Sequence, residues 1–142
     1  MTKLLIVEDQ SGPLEALEFA VKTVFPTYFT KFHYDTARCY EDAQGMISNR
    51  YDFILLDHQM PIRNVGNLED TDFDSFSKSL RPVGYSLISE IKRYNPQTVI
   101  VGTSSLSLLE LNDQPAPDYV MNKMWNEAER DLNRILSEIN AR

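Results

Sequence analysis

The chain has 142 residues, the size of one domain, and its 42% hydrophobic and 25% charged residues exclude disordered and fibrous classes. The net charge of −7 argues against direct binding to nucleic acid or to an anionic membrane, since both need a cationic surface. A lone Cys39 excludes an internal disulfide, and no stretch resembles a signal peptide or a membrane span, so we expect a cytoplasmic protein.

Short apolar runs recur along the chain, and most are followed by a segment with helical periodicity. The first half predicts a strand at 3–7, a helix from Pro13 to Pro26, an edge strand at 28–34, a helix at 37–49 and a strand at 53–56. The second half predicts a helix at 84–94, a strand at 99–101, a short helix at 106–111, a strand at 119–121 and a helix at 125–139 whose apolar face begins with Trp125. This alternation predicts a parallel sheet with helices on both faces, a doubly wound α/β fold.

Residues 62–83 interrupt the alternation. The segment is rich in Asn, Asp, Ser and Gly and carries only scattered apolar residues. A loop of this length is uncommon inside a compact domain and is usually functional or disordered. We predict a loop insertion that leaves the sheet edge just after the strand at 53–56. Such an insertion could act as a lid, bind a partner or simply be solvated.

Polar side chains follow the predicted strands at their carboxyl ends, namely Glu8, Asp9, Asp57, Thr103 and Lys123. A parallel sheet brings all of these ends to one edge, where ligands bind in open α/β sheets. Clustered carboxylates repel one another, which raises their pKa values or recruits a cation, and oxygen donors favour Mg²⁺ as that cation. The Lys and Thr side chains would neutralise and hydrogen-bond phosphoryl oxygens. Asp57 is then the predicted nucleophile, forming an aspartyl phosphate.

Several motifs occur here in a characteristic order. They are LLIVEDQ at 4–10, FILLDHQMP at 53–61, the helix start at Gly84–Tyr85, VIVGTS at 99–104, and Lys123. With these motifs the chain resembles the receiver domain of two-component response regulators, over all of its length except about 62–83. The resemblance implies a flavodoxin-like fold with strand order 2-1-3-4-5. It also implies a single receiver domain spanning residues 1–142.

The resemblance assigns roles to the residues at the sheet edge. Asp57 would accept a phosphoryl group from a histidine kinase or a histidine phosphotransfer protein, in a reaction that depends on Mg²⁺. Asp9 and Asp57 would bind the metal together with the backbone carbonyl of Gln59, and Glu8 would assist through a water molecule. The chain would therefore be a phosphoacceptor signalling domain and not an enzyme, apart from its own phosphorylation and dephosphorylation.

The resemblance also implies how the signal leaves the domain. Thr103 and Lys123 would bind the phosphoryl oxygens, and their movement would repack the surface of the fourth and fifth strands. Output would pass to a downstream protein target through protein contacts. We further hypothesise that Gln59 and Ser105, which flank the phosphorylation site in the family, tune the lifetime of the aspartyl phosphate.

The sequence departs from the family at the signalling aromatic. The family places this aromatic three residues before the Lys, where this chain has Val120. Tyr119 is one residue away, and a shift of one residue in a strand turns a side chain to the opposite face. The aromatic switch is therefore in doubt. Of the two histidines, we expect His58 to face solvent and His33 to be structural.

Other classes of protein share parts of this pattern. A Toprim-like metal-dependent enzyme or a haloacid-dehalogenase-like phosphatase would need an acidic residue where this chain has Gln59. A pseudo-receiver that binds partners without phosphorylation remains open, because the aromatic is missing and the insertion is long. Whether Asp57 becomes phosphorylated would distinguish these alternatives.

Overall fold

The computed structural model describes residues 1–103 and 115–141. In chain order its strands are β1 (Thr2–Val7), β2 (Phe32–Ala37), β3 (Phe53–Leu56), β4 (Gln59–Met60), β5 (Arg81–Pro82), β6 (Val99–Gly102) and β7 (Tyr119–Val120). The helices are α1 (Ser11–Tyr28), α2 (Tyr40–Met46), α3 (Leu68–Thr71), α4 (Phe73–Ser79), α5 (Ile88–Tyr94) and α6 (Trp125–Asn140), with 3₁₀ turns at Ile47–Asn49 and Gly84–Leu87.

Five of the strands form one parallel sheet in the order β2-β1-β3-β6-β7, and β4 pairs with β5 outside it. Counting only the strands of the main sheet, this is the predicted order 2-1-3-4-5. The prediction of a doubly wound, flavodoxin-like α/β fold is confirmed.

The sheet buries side chains on both faces because successive residues of a strand point to opposite sides. Leu4 and Ile6 of β1 pack with α1 and α6, whereas Leu5 and Val7 pack with α2 and α5. The side chains of β3 alternate between the same two faces, and all four of its residues are buried. The interpretation of 53–56 as a strand covered on both faces is therefore correct.

Helix α1 runs past its predicted end. Pro26 lies inside the helix, and β2 begins at Phe32 instead of residue 28. A proline so close to the C-terminus removes only one helical hydrogen bond. The last turn places the Phe25 ring 5.5 Å from the rings of both Phe32 and Phe53, measured between centroids. This aromatic packing holds the end of the helix against the sheet.

The insertion is folded, so the prediction of a loop at 62–83 was wrong in this respect. It contains α3, α4 and β5, and β5 pairs antiparallel with β4 at the base of the insertion. Asp72 caps α4 by accepting a hydrogen bond from the Ser75 N–H at 3.2 Å, and Phe76 is only 1% exposed. The two helices have 4 and 7 residues. They are too short to show an apolar period in the sequence.

Trp125 does not lie in the core as its position on the predicted apolar face suggested. It is 49% exposed, and its ring contacts that of Phe19 in α1 in a tilted arrangement with 5.7 Å between ring centroids. The remaining predicted face of α6 packs as expected, since Ala128, Leu132 and Ile135 are buried against α1 and the sheet.

The predicted helix at 106–111 and Ser105 lie outside the described residues, so these predictions stay untested. Among the described helices, none is long and apolar enough to cross a membrane.

Candidate functional site

Four of the predicted residues meet at the carboxyl edge of the sheet. Glu8 and Asp9 follow β1, Asp57 follows β3, and carboxylate oxygens of these three buried residues lie within 4.8 Å of one another. Lys123, which follows β7, donates from Nζ to Glu8 Oε1 at 2.7 Å and to Asp57 Oδ2 at 3.2 Å. Because β1, β3 and β7 are parallel, their ends share this edge as the sequence predicted.

Asp9 carries the strongest sign that this edge binds a cation. Burial, followed by the neighbouring carboxylates of Glu8 and Asp57, raises the pKa of Asp9 to about 9. Its Oδ2 atom is buried and has no hydrogen-bond partner among the described residues. A buried acceptor without a donor is unfavourable unless a proton or a cation reaches it. The site therefore has the oxygen donors and the unsatisfied charge that suit a hard divalent cation.

Lys123 neutralises only part of this charge. Burial by itself would lower the pKa of Lys123, but the charges of Glu8 and Asp57 outweigh burial and raise it. The lysine therefore stays protonated at neutral pH. One ammonium group faces three carboxylates, so a divalent cation would balance the site.

Thr103 reaches the same edge from β6. Its N–H donates to the Leu56 carbonyl at 3.0 Å, which places it beside the end of β3 and next to Asp57 in the sheet. The Thr103 side chain is buried, and its Oγ1 has no hydrogen-bond partner among the described residues. An oriented hydroxyl at this position is available to a ligand, in agreement with the predicted location.

Gln59 lies in β4, and its side chain is exposed. Its neighbour across the β4–β5 pair is Pro82, which has no N–H to donate, so this neighbour leaves the Gln59 carbonyl available. The amide of Val83 instead donates to the His58 carbonyl at 3.1 Å. This arrangement fits the predicted use of the Gln59 carbonyl as a ligand.

His58 is buried, so the prediction that it faces solvent was wrong. It is 2% exposed, and its Nδ1 accepts a hydrogen bond from the Tyr85 N–H at 2.9 Å. Burial lowers the pKa of His58, and the Asp57 charge only partly opposes this effect. The β4–β5 pair folds the end of the insertion back over His58, and that long-range pairing leaves no local trace in the sequence. His33, by contrast, is exposed and pairs with Asp35 at 2.8 Å.

Gly84 is the one residue whose identity could have indicated this close packing. A Cβ at Gly84 would lie 1.8 Å from the Asp57 carbonyl oxygen, so only glycine lets the chain pass here. The Gly84 N–H also donates to the His58 carbonyl at 2.9 Å.

The folded insertion lines a cavity beside Asp9. The carboxylate of Glu69 accepts the Ser11 N–H at 3.0 and 3.1 Å and lies 3.6 Å from Arg38. Arg38 donates in turn to the Asp9 carbonyl at 2.9 Å. A cavity of about 240 Å³ lies between the insertion and the site, lined by Asp9, Arg38, Pro61, Asn64, Val65, Gly66, Glu69 and Phe76. No sequence motif pointed to Arg38, Ser11 or Glu69.

Solved structures with similar folds include a two component transcriptional regulator and a response regulator. A two component transcriptional regulator AraC from Clostridium phytofermentans ISDg matches with a TM-score of 0.58 and 16% identity, over 99% of this chain and 96% of that chain. The Mn²⁺-bound form of response regulator Rcp1 matches with a TM-score of 0.51 and 19% identity, over 99% and 93%. The chain has the receiver-domain fold. No protein-family model matches the sequence, and neither does any curated protein.

Within this receiver fold the usual position of the signalling aromatic is occupied by Val120, which is 52% exposed. Tyr119 is partly buried and packs on the core between the sheet, α1 and α6. The two side chains therefore point in different directions, as the shift of one residue predicted. Tyr119 does not replace the aromatic at position 120.

Proposed function

We propose that this chain is a phosphoacceptor domain of two-component signalling and that Asp57 receives the phosphoryl group. The observation that carries the proposal is the buried Asp57 carboxylate, which contacts the Lys123 ammonium at 3.2 Å and lies within 4.8 Å of carboxylate oxygens of Glu8 and Asp9. A carboxylate so placed has a cationic group and the ligands for a second cation close to it. This is the charge arrangement that phosphoryl transfer needs.

The proposed step transfers a phosphoryl group from a phosphohistidine of a histidine kinase or phosphotransfer protein. One oxygen of the Asp57 carboxylate forms a bond to phosphorus while the P–N bond of the donor breaks. The electron pair of that bond stays on the nitrogen, and a phosphohistidine ring protonated on its other nitrogen leaves as neutral imidazole. Lys123 and the free hydroxyl of Thr103 would donate to the phosphoryl oxygens. The His58 N–H, which donates to Asp57 Oδ1 at 2.8 Å, holds the carboxylate in one orientation.

A divalent cation, for which we propose Mg²⁺, completes the site. Asp9, Asp57 and the Gln59 carbonyl would hold it, with Glu8 contributing through a water molecule. When bound, it would neutralise charge on the phosphoryl oxygens and so favour attack on phosphorus by the carboxylate. The Mn²⁺ in the structure of Rcp1 supports a divalent ion at a site of this fold.

We propose that output passes through protein contacts in the cytoplasm, without direct binding to nucleic acid. The net charge of −7 supports this view because it disfavours attraction to a phosphate backbone. The domain would act on no separate substrate, so its chemistry would be limited to its own phosphorylation and dephosphorylation.

The decisive experiment is the intact mass of the chain after incubation with Mg²⁺ and acetyl phosphate. We expect one base-labile phosphoryl group that requires Mg²⁺ and is absent from Asp57→Asn. Asp70→Asn, which changes an exposed acid in the insertion, is the matched control and should be phosphorylated normally.

A second candidate is a pseudo-receiver that binds a partner without phosphorylation. The exposed Val120 favours it, since the usual aromatic switch is absent. Metal binding without any phosphoryl adduct, with acetyl phosphate and a second small donor both tested, would select this candidate.

A further inference from the structure

His58 joins the two ends of the insertion directly beside Asp57. The His58 carbonyl accepts the N–H groups of Val83 and Gly84 at 3.1 and 2.9 Å. Its Nδ1 accepts the N–H of Tyr85 at 2.9 Å. Three consecutive amides at the end of the insertion therefore donate to the single residue that separates Asp57 from Gln59.

Tyr85 extends this connection to the next strand of the sheet. Its ring packs against the imidazole of His58, tilted by 37° with 4.7 Å between centroids, and Tyr85 is buried. Its hydroxyl lies so close to Gly102 that a Cβ at Gly102 would be 2.3 Å from it. Gly102 precedes Thr103. The two rings thus span the space between the end of β3 and the end of β6.

We propose that His58 is a positioning residue for the metal and phosphoryl site. By accepting the Tyr85 N–H, it holds the backbone from Asp57 to Gln59 in the geometry that cation binding requires. The inference rests on the proposed function, because that backbone carries two of the three protein ligands proposed for Mg²⁺. Partners that orient metal ligands in this way typically change metal affinity 10–100-fold when they are removed.

The need for an acceptor distinguishes this role from simple packing. An apolar side chain could fill the same volume, but it would leave the buried Tyr85 N–H without a partner. Asn places its amide oxygen near the position of Nδ1 and can accept that N–H. Gln carries its amide one carbon further out, so it keeps the polarity of the side chain but misplaces the acceptor.

The test compares His58→Leu, His58→Gln and His58→Asn in the full chain. Mn²⁺ affinity is measured by calorimetric titration, and stability by urea unfolding of the same samples. We expect about tenfold weaker Mn²⁺ binding for His58→Leu and His58→Gln. His58→Asn should stay within about threefold of the unsubstituted chain. Should His58→Leu not fold, His58→Gln tests the same acceptor with a polar side chain.

Two control variants separate positioning from general damage. His33→Leu changes the exposed histidine and should leave Mn²⁺ affinity unchanged. Ile91→Val removes one methylene from the core that packs around Tyr85, so it should lower stability but not affinity.

Each remaining outcome decides the question. Equal Mn²⁺ binding by the unsubstituted chain, His58→Leu and His58→Gln would overturn this inference and leave the proposed function intact. Equal losses in His58→Asn and His58→Leu would show that shape, and not the acceptor, matters, which also overturns it. If the unsubstituted chain bound no Mn²⁺ and accepted no phosphoryl group, the proposed function itself would fail.

Discussion

Cation binding at this site should depend steeply on pH because Asp9 holds a proton when no cation is present. The pKa of Asp9 is raised to about 9 by burial and by the carboxylates of Glu8 and Asp57. A metal ligand must be deprotonated, so binding should release close to one proton at neutral pH. We therefore expect the apparent affinity for Mg²⁺ to rise about tenfold for each pH unit between pH 6 and pH 8.

The magnitude follows from the distance between the working pH and that pKa. A pH of 7 lies about two units below the Asp9 pKa of about 9. Displacing the proton at pH 7 therefore weakens cation binding by about 2.7 kcal/mol, or about a hundredfold in affinity. Above about pH 9 this cost disappears and the affinity should level off.

Calorimetric titration of Mg²⁺ in two buffers with different ionisation enthalpies measures both the affinity and the number of protons released. Asp9→Asn should release no proton and should bind more weakly at every pH, with a flat pH profile. A flat profile for the unsubstituted chain, with no proton release at pH 7, would refute the assignment of the proton to Asp9.

The same proton makes stability depend on pH in a predictable direction. The pKa of Asp9 is raised above its unfolded value of 3.8, so between that pH and about 9 the folded state keeps a proton that the unfolded chain has lost. Stability from this group therefore falls as the pH rises through that window. At pH 7, with EDTA present, Asp9→Asn should raise stability by about 2 kcal/mol, or about 8 °C in Tm. A lower Tm for Asp9→Asn would contradict this expectation.

Three further predictions concern the surroundings of the site. Lys123→Met removes the ammonium that pairs with the buried carboxylates of Glu8 and Asp57 and should cost about 3 kcal/mol in urea unfolding; unchanged stability would mean that these ion pairs contribute nothing. Gly84→Ala should lower Tm by about 10 °C or more, because its Cβ would meet the Asp57 carbonyl oxygen at 1.8 Å. Gly45→Ala has nothing within 4 Å and should stay within about 3 °C of the parent. Glu69→Ala removes the hydrogen bonds between α3 and the start of α1, so limited proteolysis of the insertion should be faster. An unchanged proteolysis rate would argue against this attachment.

The sheet and the polar side chains at its carboxyl edge could be predicted because the information is local. Each buried strand is a short apolar run, and the polar residue that follows it marks the strand end. Glu8, Asp57 and Thr103 were therefore located correctly before any contact was known. Parallel pairing then brings those ends together without further information from the sequence.

The insertion could not be predicted because its structure depends on distant contacts. Helices α3 and α4 are too short to be stable alone, and nucleation makes such helices marginal in water. Tertiary contacts stabilise them instead. Phe76 of α4 is buried, and Glu69 of α3 accepts the Ser11 N–H at the start of α1. The burial of His58 likewise follows from pairing between β4 and β5, residues that are more than twenty positions apart.

The attachment of the insertion also explains how a receiver fold can accommodate it. An extra segment at this place could have loosened the backbone between Asp57 and Gln59, which the proposed metal site needs in one geometry. Instead the pairing of β4 with β5 and the three amides bound by His58 close the insertion at its base. Motion of the inserted residues is therefore kept from disturbing the backbone of the site by hydrogen bonds at the base of the insertion. The same closure places Glu69 of α3 in the cavity beside Asp9, so a partner that reaches the site on this side would contact the insertion.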